Sequence, residues 1–397
     1  MKSKTSNTQE EFQTGGVILV STAHAVHDTY TGFLPALLPI LIDKFQLTNT
    51  TAGLLTVFMR IPSLLQPIIG RIADRKNLKF LIILAPTITG AAMSLLSIAP
   101  GYGFLAFLLI IAGISSGALH AIGPVLGSNM SGNKLGKGMS FWMVGGELGR
   151  ALGPIIVVTA IGYITLDGLP WLMLGGILAS CFLYVKLRSA TTLPQEVAPQ
   201  INWTKALRKM RGLMIPMTIL IFTRTMMTAS LTTYLPTFLT TQGSSLWFAG
   251  ASLSILEVSG MVGSFLSGPL SDRFGRRRML VISFIATPLL MFLFVHMNNL
   301  FRIPLLALLG FFAISVTPVI LAIVMENAPA NRSFTNGVYM ALSFVLSALS
   351  TLLVGLLSDL VNLRTTFLIS ACILPVGLPF IFLLPKSIRH THKPEKS

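Results

Sequence analysis

The sequence predicts an all-α membrane protein: twelve transmembrane helices in two six-helix, pseudo-symmetric bundles. Three observations predict it. Apolar residues make up 53% of the 397 positions and charged residues only 11%, where a soluble chain carries about 25% charge. The apolar residues gather into runs long enough to cross a bilayer, for which about 20 residues suffice. A basic punctuation recurs half a chain apart, as GRIADRKNLKFL from Gly70 to Leu81 and GPLSDRFGRRRML from Gly268 to Leu280.

The first 14 residues are polar. The run after them is long and lacks a small-residue cleavage site, so it reads as a retained helix and not a signal peptide. Successive apolar runs place the first six helices at 15–43, 50–70, 79–99, 102–129, 137–164 and 168–187. The second six fall at 213–240, 247–270, 278–297, 301–326, 333–358 and 364–385. Connections are short except for Arg188 to Gly212. The expected organisation is therefore an N-terminal bundle at 1–187, a cytoplasmic linker at 188–212 and a C-terminal bundle at 213–397.

Within the linker, Trp203, Ala206, Leu207 and Met210 share one helical face, and Lys205, Arg208, Lys209 and Arg211 take the other. That pattern is an interfacial helix on the inner leaflet with Asn202 as its N-cap, or else a plain charged linker.

The charge distribution orients the chain. With the N-terminus inside, 23 of the 29 lysines and arginines fall in the termini and in the loops after even-numbered helices. Lys44, Arg302 and Arg364 fall outside, and three more lie within helices. Both ends are expected in the cytoplasm, in a plasma (cell inner) membrane protein held by anionic lipid. An odd number of spans would scramble this asymmetry. The net charge of +16 is thus a membrane signal, and no nucleic-acid motif accompanies it. Cys181 and Cys372 lie in apolar runs, which excludes a disulfide framework.

The duplicated loop carries a family signature. Gly268, Asp272, Arg273, Gly275, Arg276 and Arg277 match the Gly-x-x-x-Asp-Arg-x-Gly-Arg-Arg loop of the major facilitator superfamily. The first copy keeps Gly70, Asp74, Arg75 and Lys79, but has Asn77 for the glycine and Leu78 for a basic residue. With twelve spans and a central linker, the chain resembles that superfamily over nearly its whole length. HAVHDTYTGFLPALLPIL, LLQPIIGRIADR, GALHAIGP and VGGELGRALGP further resemble the fosmidomycin resistance protein family of drug exporters. Gly149, Gly153 and Pro154 resemble the helix 5 antiporter signature, without the glycine pair that often ends it.

The resemblance implies a gating role for the loops. Asp74 would dock against the start of helix 11, and Asp272 against the start of helix 5, when the cytoplasmic side closes. A carboxylate at a helix N-terminus gains about 0.3–1 kcal/mol from the dipole and free amides. Gly275 suits a tight return with left-handed backbone. Glu326, at the end of helix 10, is within reach of Arg276, while helix 4 ends in Ser128 and Asn129, so the C-terminal latch is expected to be the fuller one. Arg277 and Arg278 are read as topology signals only.

Charges inside the membrane are costly and mark function or pairing. His24 and Asp28 share a face of helix 1 at i, i+4, and a carboxylate beside an imidazole can exchange a proton near neutral pH. Asp28 is the leading candidate for a substrate or proton site; His24 either joins it or only packs, and His27 faces elsewhere. Arg60 on helix 2 or Arg150 on helix 5 would neutralise Asp28 or Glu147, or form an internal ion pair that only holds helices together. Arg224 on helix 7 would bind an anion or pair with Glu257 on helix 8. His120, between Gly117 and Gly123 on helix 4, is either a packing or a functional residue. The small-residue series Gly145, Gly149, Gly153 marks helix contact, and Pro62, Pro124, Pro154 and Pro318 permit bending.

Three functions remain open. One is a proton-coupled exporter of a small polar or amphipathic compound, with Asp28, Glu147 and Glu257 as proton carriers. Another is a proton symporter importing a small organic anion in a cradle of Arg60, Arg150 and Arg224. The third is a membrane enzyme or scaffold. His24, His27 and Asp28 mimic part of a metal site, yet ligand positions from one helix are weak support. No catalytic residues, metal or cofactor are therefore expected, and no phosphate-binding loop is present. The expected partners are a small-molecule substrate, protons and membrane lipids, with the chain a monomer.

Overall fold

The computed structural model describes residues 12–73, 78–188, 203–297, 299–327 and 332–384. Twelve helices within it are long and apolar enough to span a bilayer. The first bundle holds α1 (Thr14–Phe45), α2 (Asn49–Gly70), α3 (Lys79–Ile98), α4 (Tyr102–Asn129), α5 (Leu135–Ile164) and α6 (Leu169–Leu187). The second holds α7 (Arg211–Thr233), α8 (Leu246–Phe274), α9 (Arg276–His296), α10 (Phe301–Val324), α11 (Gly337–Val361) and α12 (Leu363–Leu383). Each lies within a few residues of its expected place.

The first helix of each bundle is broken where the sequence suggested one rod. The α1 span is helical over Thr14–Thr31 and again over Phe33–Phe45, turning at Gly32. Its counterpart is helical over Trp203–Thr233 and again over Leu235–Thr241, turning at Tyr234. Pro35 and Pro236 follow the two turns. A proline cannot donate to the carbonyl four residues back, so the ladder is interrupted there. The basic segment from Trp203 is helical and runs into α7 without a break, so it is not a separate helix. Gly212 and Pro216 are both accommodated within that rod. Asn202 lies outside the described residues. Of the four expected bending prolines, Pro62 falls in a 3-10 turn at Ile61–Leu65, while Pro124, Pro154 and Pro318 are carried inside helices.

Each bundle has its own apolar core. Phe33, Leu34 and Leu37 anchor the first, and Tyr234, Phe238, Phe294 and Phe367 the second. Large side chains such as Phe265, Leu178 and Phe382 face outward on the spans, as a lipid-facing surface requires.

The bundles meet through α2 with α11 and α5 with α8. Their glycines show at which end. A Cβ added at Gly53 on α2 would lie 2.2 Å from Tyr234 Oη and 3.2 Å from Thr351 O. At Gly250 on α8 it would meet Val158 at 2.6 Å, and at Gly355 on α11 Asn49 O at 2.8 Å. Toward the other end of the same helices, a Cβ at Gly70, Gly136, Gly268 or Gly337 meets none of the described residues within 4 Å. Among the described residues, the close contacts between the bundles gather at the end distal from the arginine-rich loop, and the loop end shows none of this kind.

Candidate functional site

The helix 5 signature is a close seam between α5 and α1. A Cβ at Gly145 would stand 2.4 Å from Ser21 O, at Gly149 2.3 Å from Ala25 O, and at Gly153 2.3 Å from Thr29 O. At Gly146 it would strike the His24 ring at 2.4 Å. Only glycines let the two backbones approach this closely, and the approach carries the charges of both helices into one place.

There His24 Nε2 lies 3.3 Å from the Asp28 carboxylate, and the Arg150 guanidinium 3.7 Å from it. Arg150 also pairs with Glu147 one turn away, and its Nε stands 4.0 Å from Glu257 on α8 of the other bundle. One guanidinium thus touches three carboxylates and bridges the halves. Its side chain is 41% exposed while Asp28 is 4% exposed, so the arginine lines the open cleft in front of a buried acid. Arg60 is near enough to interact with Arg150 and Glu257, and its hydrogen bond goes to Ser347 on α11.

Arg224 forms no ion pair with Glu257, whose partner among the described residues is Arg150 at 4.0 Å. It donates to Thr317 at 2.5 Å and lies near Tyr339, leaving its buried Nε without a hydrogen bond. It lines a small pocket with Met227, Thr228, Ser283 and Phe284 inside the second bundle.

His120 of α4 reaches the same acid cluster, with its Nε2 3.2 Å from His24 Nε2. Trp142 was not foreseen from the sequence. Its ring stacks on His24 with centroids 3.9 Å apart, and its carbonyl faces His24 Nδ1 at 2.9 Å. It precedes the glycine seam by one turn, a placement that signals a residue packed against α1. His27, expected to face elsewhere, points to α3, with Thr89 at 2.9 Å; yet its Nε2 returns to within 3.8 Å of Asp28.

At the loop end, Gly275 has φ of 97°, as the tight return requires. Arg276 pairs with Glu326 at 3.0 Å, with Asp272 at 2.5 Å and with Ser271. The Asp272 side chain is 66% exposed and pairs within its own loop. Arg273 stacks over Phe274 at 5.5 Å. Arg277 is more than a topology signal: it donates to Leu384 O at the end of α12. Lys79, at the equivalent place in the first copy, donates to Arg188 O at the end of α6 at 2.5 Å. In both bundles the base after the loop closes the last helix, where free carbonyls attract a cation. Asp74 and Arg75 lie outside the described residues.

The distal end holds a latch the sequence reading missed. Asp359, near the end of α11, accepts from Asn49 N at 2.7 Å, Thr50 N at 2.9 Å and Thr50 Oγ1 at 2.5 Å. Tyr234 Oη donates to Asn49 O or Thr351 O beside it, at 3.0 and 3.1 Å. A signal was present: Gly355-Leu-Leu-Ser-Asp359 repeats the pattern of Gly268-Pro-Leu-Ser-Asp272.

Two helical bundles parted at one end, latched at the other and bridged by buried charge define a membrane transporter. The chain belongs to the Major Facilitator Superfamily, whose family model matches residues 20–271 and 254–397. It is similar to the fosmidomycin resistance protein of Escherichia coli (strain K12), 24% identical over 388 residues and covering 95% of both chains. It is also similar to the uncharacterized MFS-type transporter YfnC of Bacillus subtilis (strain 168), 26% identical over 389 residues, 95% of this chain and 94% of that one. Among solved structures it shares the fold of a bacterial homolog of the human lysosomal transporter Spinster in an inward-facing, unoccupied conformation. The TM-score there is 0.75, with 13% identity over 94% of this chain and 97% of the other.

Proposed function

We propose that the protein is a proton-coupled exporter that exchanges inward-moving protons for a small polar or amphipathic compound by alternating access. The single observation that carries this reading is Arg150, which ties Asp28 and Glu147 of one bundle to Glu257 of the other at the floor of the open cleft. Likeness to the fosmidomycin resistance protein supports the direction. In this reading the protein acts as a monomer among anionic lipids of the inner membrane, and the charge count supports putting the loop end and both termini in the cytoplasm.

The structure then corresponds to the inward-open state. Arg150 stands against Glu257 and competes with a proton for its carboxylate. A proton taken up when the distal end is open would leave as the bundles rock and Arg150 arrives, readying the cleft for substrate. Glu147, Asp28 and Arg60 are the other charged groups facing Glu257. On closure of the loop end, Asp272 would swing to the start of α5 and Asp359 would release α2.

A deletion strain challenged with toxic compounds identifies the substrate; proteoliposome flux with an imposed pH gradient then reads the coupling. Wild type should export against the compound's gradient. Glu257→Gln should retain counterflow and lose pH-driven accumulation. Unchanged pH-driven transport in Glu257→Gln would refute the coupling. A second reading, symport of a small organic anion, is favoured by the unpaired Nε of Arg224 and by Arg60 beside Arg150. Uptake driven by the same pH gradient, lost in Arg224→Gln, would select it.

A further inference from the structure

We propose that His24, His27, His120 and Asp28 form a binding site for a divalent first-row transition-metal ion of the zinc class, buried in the first bundle. Proton placement carries the inference. A backbone carbonyl can only accept a hydrogen bond. His24 Nδ1 lies 2.9 Å from Trp142 O and His120 Nδ1 2.8 Å from Ser116 O, so each Nδ1 bears the hydrogen. When neutral, each ring presents a bare lone pair on Nε2. These two nitrogens face one another across 3.2 Å, and His24 Nε2 is 3.3 Å from the Asp28 carboxylate.

The third imidazole follows the same rule. Ser115 donates to Ala85 O at 3.4 Å, and Thr89 donates to Ser115 Oγ at 3.0 Å. Thr89 has spent its hydrogen, so it accepts from His27 Nδ1 at 2.9 Å, and His27 Nε2 is bare as well. That nitrogen is fully buried, has no hydrogen-bond partner and lies 3.8 Å from Asp28 Oδ1. Two lone pairs and an anion therefore converge from α1 and α4, with the His27 lone pair at their edge on Asp28 Oδ1. Arg150 faces Asp28 from one side at 3.7 Å, and acceptors this close repel one another unless a proton or a metal ion also stands among them.

The spacing suits a metal. Zinc bonds of 2.0–2.1 Å at tetrahedral angles set ligand atoms about 3.3–3.4 Å apart. The two shortest separations here are 3.2 and 3.3 Å, and the ligand atoms of His24, Asp28 and His120 all lie within 4.8 Å of one another. Each imidazole is held through its other nitrogen by a backbone carbonyl or a hydroxyl, the outer support that metal-ligating histidines use. Trp142 stacked on one face of His24, and Gly146 with no side chain beside it, fix that ring further. Imidazole and carboxylate together select zinc, cobalt, nickel or copper over magnesium and calcium. The surrounding charge admits a cation, since Asp28, Glu147 and Glu257 face Arg150 and Arg60. Sequence spacing on α1 alone did not support such a site; His120, brought from α4, changes that.

The test uses tag-free, chelator-washed protein with His390→Ala and His392→Ala, which removes the tail histidines as ligands. Co2+ is titrated while visible absorption and thermal unfolding are followed, and Zn2+ is then added. The expected result is one Co2+ per chain with intense low-coordination bands, a raised melting temperature and displacement by Zn2+. His120→Gln and Asp28→Asn should each weaken binding about tenfold or more, and His296→Ala should not. Circular dichroism and gel filtration establish that the variants fold. Absence of stoichiometric binding, as with a proton shared among the rings, would overturn the site. Equal affinity in wild type, His120→Gln and Asp28→Asn would do the same. The coupling test reads Glu257→Gln, a residue outside the proposed ligand set, so either result can stand without the other.

Discussion

The two ends of the interface between the bundles use one device in opposite states. At the distal end, Asp359 sits on the free amides of Asn49 and Thr50 at the start of α2, with Tyr234 closing over the junction. At the loop end, Asp272 follows a glycine at the same spacing, yet turns back onto Arg276 of its own loop. A carboxylate is stabilised wherever a helix start presents unpaired N–H groups. What distinguishes the ends is whether a helix of the other bundle is near enough to supply them. In this structure only one of the two is satisfied by the other bundle, and the proposed alternating access requires that they exchange.

Jamming the closed end should have the largest effect. Gly355→Leu places side-chain atoms where Tyr234 Oη, Asn49 O and Thr50 already lie within 2.6–2.9 Å of a Cβ. Overpacking of this kind costs about 1–3 kcal/mol, about 5- to 150-fold in the balance of states. Spin-label distances across Asn49 and Asp359 should lengthen, and transport should fall in proportion. Gly337→Leu on the same helix faces open space and should leave the present state populated. If both variants behaved alike, the two-ended picture would fail.

Asp359→Ala comes next. Loss of a helix-capping carboxylate costs about 0.5–2 kcal/mol, and cysteine labelling from the distal side should increase accordingly. Arg277→Gln and Lys79→Gln remove the cation from the end of α12 and α6, worth about 0.3–1 kcal/mol each. Their signature is lowered resistance to chemical unfolding with the balance between open ends unchanged. Asp272→Asn should have the smallest effect on the state seen here, because its carboxylate is mostly exposed. It should instead slow turnover, as a shorter-lived loop-closed state in single-molecule distance records.

Much of the fold was legible from local chemistry. Apolar runs, positive loops and the repeated glycine-aspartate punctuation each act within a helix or a turn, so reading along the chain finds them. The pairs His24–Asp28 and Glu147–Arg150 were legible for the same reason, since i, i+4 and i, i+3 spacing puts both partners on one face. Arg276 with Glu326 followed from both ending on one side of the membrane. Less was legible where partners come from different helices. Depth alone offered Arg224 either an anion or Glu257 as partner, while that acid stands 4.0 Å from Arg150. Asp359 went unremarked although its GLLSD run copies GPLSD. The breaks at Gly32 and Tyr234 were smoothed over because hydropathy is blind to a missing amide hydrogen.

From the sequence alone came the twelve spans, the two halves, the family resemblance and most of the charged residues worth asking about. All of these follow from transfer of side chains and backbone between water and lipid, a property each residue carries with it. The folded molecule alone decided which end is latched, that Arg150 joins the halves and that His120 completes a cluster begun on α1. Those outcomes depend on distances of 3–4 Å between helices remote in the chain, and a lone pair or a charge has meaning only when the group facing it is known.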